Sequence, residues 1–152
     1  MAIADTPKEL HASLVDYLGR GILLRGASGS GKSDLALRLI DGGAQLVADD
    51  RVVLRRKGEG VFGSPPAPLV GLLEVRGIGI FRLGNLDEAR LHLVVDLVTG
   101  AEVARMPEPR QESFFGIALP VVALAPFAPS TPAALKLAVT TTSVAGALGG
   151  SA

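Results

Sequence analysis

An apolar run, a glycine-rich octet and an amphipathic run follow one another between residues 21 and 41. That succession restricts the fold more than any other feature of the chain. The octet, Gly26-Ala27-Ser28-Gly29-Ser30-Gly31-Lys32-Ser33, satisfies the pattern Gly-x-x-x-x-Gly-Lys-Ser/Thr. Before it stands Gly21-Ile22-Leu23-Leu24, the pattern of a buried strand, and after it Leu35, Leu37, Leu39 and Ile40 mark a helix. In a strand–loop–helix context the glycines let successive backbone N–H groups converge on phosphate oxygens, and the helix N-terminus adds a favourable dipole. Lys32 is placed to reach the β- and γ-phosphates, and the Ser33 hydroxyl to take one position on Mg²⁺. A flexible Gly/Ser turn is the alternative, and it does not account for the periodicity on both flanks. The expectation is a protein that binds a nucleoside triphosphate.

Length and charge narrow this further. At 152 residues the chain is expected to form one domain with a real core. Fifteen basic and fifteen acidic residues cancel, so no broad electrostatic footprint for nucleic acid or an anionic membrane is present. Cysteine is absent, which removes disulfides, thiolate metal sites and cysteine nucleophiles together. The longest uncharged stretch, residues 113–135, is interrupted by four prolines and does not read as a membrane-spanning helix. Met1-Ala2-Ile3-Ala4-Asp5 lacks the basic-then-apolar pattern of a signal peptide. A small soluble, cytoplasmic protein is expected.

Strands are expected at Leu14–Leu18 and over residues 21–25, joined by a turn at Gly19-Arg20. A helix is expected over residues 31–41, stopped by Gly42-Gly43. Leu46-Val47-Ala48 reads as a short strand ending in Asp49-Asp50-Arg51, and Val52-Val53-Leu54 opens a hairpin with its turn at Lys57-Gly58-Glu59-Gly60. Pro65-Pro66-Ala67-Pro68 is a breaker. Leu91–Val98 is the clearest strand of all, whereas Ile117–Leu124 is interrupted by Pro120, which argues for an edge or a break. Ser130-Thr131-Pro132 caps a short helix over residues 132–139. Residues 1–10 read as an N-terminal segment, 11–139 as the catalytic domain and 140–152 as a disordered tail. No internal repeat is visible.

Catalysis requires a group to activate the nucleophile and others to hold Mg²⁺. Two apolar strands run into aspartate, one at Asp49-Asp50 and one at Asp96. Asp96 continues into Leu97-Val98 and suits the exposed face of a half-buried strand equally well. The adjacent carboxylates of Asp49 and Asp50 point to opposite faces if the strand continues, or splay if it turns. One could contact the metal or its water while the other accepts a hydroxyl proton; a solvated turn is the bland alternative. Glu74 and Arg76 share one face of a strand by their spacing, with Gly77 and Gly79 allowing close backbone approach, or form an exposed ion pair at a bend. His11, Arg105 and Arg110 would by themselves be surface residues.

Taken in order, His11, Val15-Asp16, the octet with Asp34, Leu46–Val52 and Leu73-Glu74-Val75-Arg76-Gly77-Ile78-Gly79-Ile80 resemble the catalytic domain of HPr kinase/phosphorylase over roughly residues 10–125. The Glu-x-Arg-Gly-x-Gly-Ile segment is the most specific part. The resemblance implies an α/β fold, a P-loop kinase domain related to phosphoenolpyruvate carboxykinase, with a mixed β-sheet and flanking helices. It implies ATP and Mg²⁺ as cofactors and the phosphocarrier protein HPr of the sugar phosphotransferase system as the serine acceptor. It also implies a reverse reaction in which phosphate attacks phosphoserine to give pyrophosphate, and a homo-oligomer, commonly a hexamer. Residue by residue, it assigns phosphate binding to Lys32 and the loop amides, Mg²⁺ to Ser33 and Glu74, and the proton transfer to Asp50. His11 becomes a modulator of Asp50, and Arg105 the later catalytic arginine. Asp49, Arg76, Gly77 and Gly79 are further site candidates.

The family's Pro-x-x-Pro-Gly-Arg-Asn loop is replaced around Leu119-Pro120-Val121-Val122-Ala123-Leu124-Ala125-Pro126, which makes the reverse reaction the weaker expectation. The chain resembles the short forms of alphaproteobacteria, without the N-terminal domain of the long forms. A small-molecule kinase and a nucleotide sensor without turnover are the competing readings. No arginine-bearing lid is evident for the first, apart from the Arg105–Arg110 loop, and a binder has little need of a base for the second.

Overall fold

A computed structural model of the chain describes residues 6–149. The expectations for residues 1–5 and for the last three residues of the tail lie outside the described residues. The described chain forms eleven strands and two α-helices. The strands are β1 (Lys8–Leu10), β2 (Ala12–Tyr17), β3 (Arg20–Arg25), β4 (Gln45–Ala48), β5 (Val52–Lys57), β6 (Gly60–Ser64), β7 (Leu72–Val75), β8 (Gly79–Arg82), β9 (Ala89–Leu97), β10 (Gln111–Phe114) and β11 (Ile117–Leu124). The helices are α1 (Lys32–Asp41) and α2 (Thr131–Thr140).

Nine strands make one mixed sheet in the order β1-β5-β6-β9-β3-β2-β4, with β11 also on β9 and β10 on β11. The strand before the glycine loop, β3, lies inside it. It pairs antiparallel with β2 (Leu14 opposite Leu23) and parallel with β9 (Ile22 opposite Leu93, Arg25 opposite Asp96). β9 serves two partners along its other edge, β6 near its start through Ala89 and Arg90 and β11 near its end through Val94–Leu97.

Both faces of these central strands are buried, which is why they read as continuous apolar runs rather than alternating ones. Val15, Ile22, Leu24, Leu93 and Val95 face α1 and α2, where Leu35, Ala36, Leu39 and Leu135 close the layer. Their neighbours Leu14, Leu23 and Val94 point the other way, into a second cluster with Val52, Leu54, Val61, Phe114 and Val121. Completely burying each leucine contributes about 1.5–3 kcal/mol as an upper estimate, so the site rests on a rigid frame.

Local differences from the sequence expectations have identifiable causes. The β2–β3 turn is Leu18-Gly19, both with positive φ (54° and 85°), so Arg20 already belongs to β3. That handedness matches the twist of a two-residue hairpin. Pro120 does not break β11; it stands at the end of the β10 pairing, opposite Gln111, where β11 changes partner to β9. The helix expected over 132–139 begins at Thr131, and Ser130 at its N-cap makes no side-chain capping bond. Pro66 starts a single 3₁₀ turn over Ala67–Leu69. β7 and β8 form a separate two-stranded hairpin beside α1, with Leu73 buried and Ile78 and Ile80 exposed. After α2, residues 141–149 contain no helix or strand, yet Leu148 packs against the helix-side core. No helix among the described residues is long and apolar enough to cross a membrane.

Candidate active site

The glycine octet lies where β3 hands over to α1. Gly31 occupies the N-cap of α1 with φ 102°, and Gly29 has φ 82°, left-handed conformations that glycine adopts without strain. Gly26 is required for a different reason: a Cβ there would stand 2.4 Å from Ser30 Oγ. That hydroxyl is buried and has no protein partner, an orphaned polar atom at the centre of the loop. Lys32 is only 5% exposed, and its ammonium donates to Gly26 O at 2.7 Å and Ala27 O at 3.1 Å. Two of its three N–H bonds brace the loop, and the third is left for an anion.

Asp49 follows directly on β4 and is 7% exposed. Its Oδ1 accepts from Ser33 Oγ at 2.8 Å and from Ser13 Oγ at 2.9 Å, and the Glu74 N–H approaches Oδ2 at 3.4 Å. One buried carboxylate thus ties together β2, the start of α1 and the β7–β8 hairpin. Since the Ser33 proton is committed to Asp49, the lone pairs of its oxygen remain free to meet a metal.

At Asp50 the chain turns sharply, with φ 67°, a left-handed conformation that aspartate tolerates better than most residues. The turn is held by Asp50 N–H donating to Ser13 Oγ at 3.1 Å and Ala12 N–H donating to Asp50 O at 3.2 Å. The two carboxylates therefore splay: Asp49 inward onto Ser33, Asp50 outward with 57% of its side chain exposed. His11 Nδ1 lies 3.9 Å from Asp50 Oδ1.

The residues present fit a nucleoside triphosphate and Mg²⁺. An orphaned buried hydroxyl, glycines at the loop's left-handed turns and a spare ammonium bond suit phosphates. Mg²⁺ keeps waters and phosphate oxygens in its shell and needs only one or two protein carboxylates. Among the described residues no group of three metal-ligating His, Cys, Asp or Glu side chains occurs.

The family model for the HPr serine kinase C-terminal domain matches residues 3–124. The chain belongs to that family. As a member of it, the chain is 44% identical over 98 residues to an HPr kinase/phosphorylase of Exiguobacterium sibiricum, covering 62% of this chain and 32% of that one. Against an HPr kinase/phosphorylase of Geobacillus sp. (strain WCH70) it is 46% identical over 96 residues, covering 58% of this chain and 31% of that one. It spans about a third of the length of these curated relatives. The solved structure of the Hpr(Ser) kinase/phosphatase from Coxiella burnetii superposes with a TM-score of 0.77 at 28% identity, over 87% of this chain and 93% of that one. The mixed α/β fold is that of the HPr kinase C-terminal domain.

Within this family member the other candidate residues fall in different places. Glu74 is exposed on β7 next to Asp49, whereas β7 ends at Val75 and Arg76 lies in the turn with Gly77. The shared strand face expected for Glu74 and Arg76 is therefore not formed, and neither is an ion pair between them. Arg105 is exposed and has no hydrogen-bond or ion-pair partner among the described residues. Asp96, the second strand-borne aspartate, is not at Ser33. It accepts from Arg25 Nε at 2.8 Å and also binds Arg110.

Two residues near the loop have no signal in the sequence. Ser13 falls just before the strand expected at Leu14–Leu18, yet within β2 it joins Asp49 to the backbone of Asp50. Arg25, immediately before the loop, forms paired bonds to Asp96 and to Glu112, the latter at 2.8 and 2.9 Å. The hydrogen bonds from Arg25 hold the Glu112 carboxyl below its ordinary pKa, and Glu112 in turn raises that of Arg25. Stability from this pair is complete above the ordinary carboxylate range and is lost as pH falls through the depressed pKa of Glu112. Glu112→Gln is expected to lower Tm near neutrality and to converge with the wild type only as pH falls below the ordinary carboxylate range, through the depressed pKa of Glu112. A Tm difference that stays constant across an acid titration would contradict the pairing.

Proposed function

We propose that this chain transfers the γ-phosphoryl group of ATP to a serine hydroxyl of the phosphocarrier protein HPr. The observation that carries the proposal is the division of labour between adjacent carboxylates: Asp49 is buried on Ser33, and Asp50 stands in solvent beside it. A base that serves a side chain of another protein must be within reach of that chain, and Asp50 is open to it.

The loop N–H groups and Lys32 bind and orient the phosphates. Ser33 and Glu74 would hold Mg²⁺, which when bound neutralises phosphate charge during transfer. Asp49 orients the Ser33 hydroxyl, so that serine coordinates through a lone pair without losing its proton. Asp50 takes the proton of the acceptor serine as its oxygen bonds to the γ-phosphorus and the bond to ADP breaks. His11 is close enough to adjust the charge on Asp50. In reverse, a phosphate oxygen attacks phosphoserine, the serine oxygen leaves with the proton held by Asp50, and pyrophosphate is the product. Microscopic reversibility assigns both tasks to one carboxylate.

A cysteine-free chain suits a reducing cytoplasm, where the phosphotransferase system operates. A homo-oligomer is part of the proposal, with Ile78, Ile80 and Phe81 of the β7–β8 hairpin as exposed apolar surface for it.

The test is incubation with ATP, Mg²⁺ and HPr from the same organism, read by intact mass. One added phosphate on HPr, removed by excess inorganic phosphate with release of pyrophosphate, is the expected result. Nucleotide binding without transfer would favour a sensor, and ATP hydrolysis indifferent to HPr would rule out this acceptor.

A further inference from the structure

Phe127 is a large apolar side chain that the fold leaves 65% exposed, and it sits against the phosphate loop. A Cβ added to Gly31 would lie 2.8 Å from Phe127 Cζ and 3.0 Å from Pro126 Cβ, so ring and loop are in direct contact. The segment carrying the ring is braced from two sides. Thr131 Oγ1 of α2 donates to Ala125 O at 2.7 Å. The Arg38 guanidinium of α1 donates to Pro126 O and, at 3.4 Å, to Ala128 O. A ring held in solvent on so rigid a strut is not filling the core.

Topology says what it faces. β3, β9 and β11 are mutually parallel neighbours, so their C-terminal ends lie along one edge of the sheet. The glycine loop follows β3, and Phe127 stands three residues beyond the end of β11 at Leu124. In parallel sheets ligands sit outside these strand ends. β11 ends two strand spacings from β3, about 10 Å, and the Phe127 ring reaches back from there onto the loop at Gly31.

We infer that Phe127 is the platform on which the base of the bound nucleotide stacks, so that the loop selects the phosphates and Phe127 retains the nucleoside. This rests on the ATP-binding role proposed above. Aromatic stacking tolerates any base, so Phe127 adds affinity for nucleotides over bare polyphosphate rather than choosing among purines.

The experiment compares ATP with inorganic tripolyphosphate, each with Mg²⁺, by titration calorimetry on the full chain. Phe127→Ala is expected to weaken ATP about tenfold while leaving tripolyphosphate unchanged. The chain has no tryptophan, so Phe127→Trp supplies a single tryptophan whose emission ATP should quench and tripolyphosphate should not. Unchanged ATP affinity in Phe127→Ala, equal weakening of both ligands, or a Phe127→Trp signal blind to ATP would each overturn the stacking role. Failure of the unmodified chain to bind either ligand would instead remove the phosphate cradle, and the inference with it.

Discussion

Asp50→Asn is expected to reduce phosphotransfer to HPr by about a thousandfold while leaving ATP affinity within a factor of two, on the scale of a lost general base. Asparagine has the same shape and also tolerates the left-handed conformation that Asp50 adopts at φ 67°. The bonds that hold the turn run through the backbone of residue 50, to Ser13 Oγ and from Ala12 N–H, and survive the change. What disappears is the ability to accept the serine proton. Asp50→Ala separates the two effects, because alanine adds about 1 kcal/mol or more of backbone strain at that φ and should lower Tm as well. Transfer at the wild-type rate in Asp50→Asn would refute the base assignment.

The second large effect is expected at Lys32. Lys32→Ala should weaken ATP binding by about 10–100-fold, the range of a charge-assisted hydrogen bond, and slow transfer further. Tripolyphosphate should weaken in parallel, since the ammonium addresses phosphate and not the base. The change also leaves Gly26 O and Ala27 O without their donor, so the loop itself should loosen. Intact nucleotide affinity in this variant would count against the cradle.

The elements beside the loop were legible because their signals are local. Helix α1 runs Lys32–Asp41, where the apolar spacing and Gly42-Gly43 put it, and β9 covers the expected Leu91–Val98, starting two residues earlier and ending one residue earlier. The hairpin turn before Gly60 and the strand ending at Asp49-Asp50 were equally readable. Pairings between distant segments were not. Local pattern separates Asp49, at a strand end, from Asp96, inside a strand, but does not say which of them meets Ser33. The choice depends on β2 lying between β3 and β4 and bringing Ser13 to Asp49, while β9 brings Asp96 to Arg25. Arg76 misled because spacing assumes the strand continues, and the turn at Gly77 ends it.

By itself, the sequence determined a glycine loop set between strand and helix, with Lys32 and Ser33 at its end. Backbone freedom at glycine and the reach of adjacent side chains are written within eight consecutive residues. The tertiary structure alone decided which carboxylate is buried on Ser33, which stands in solvent beside His11, and that Phe127 closes on Gly31. Those outcomes depend on strand order and on contacts between residues 16 to about 96 positions apart, which no local pattern encodes.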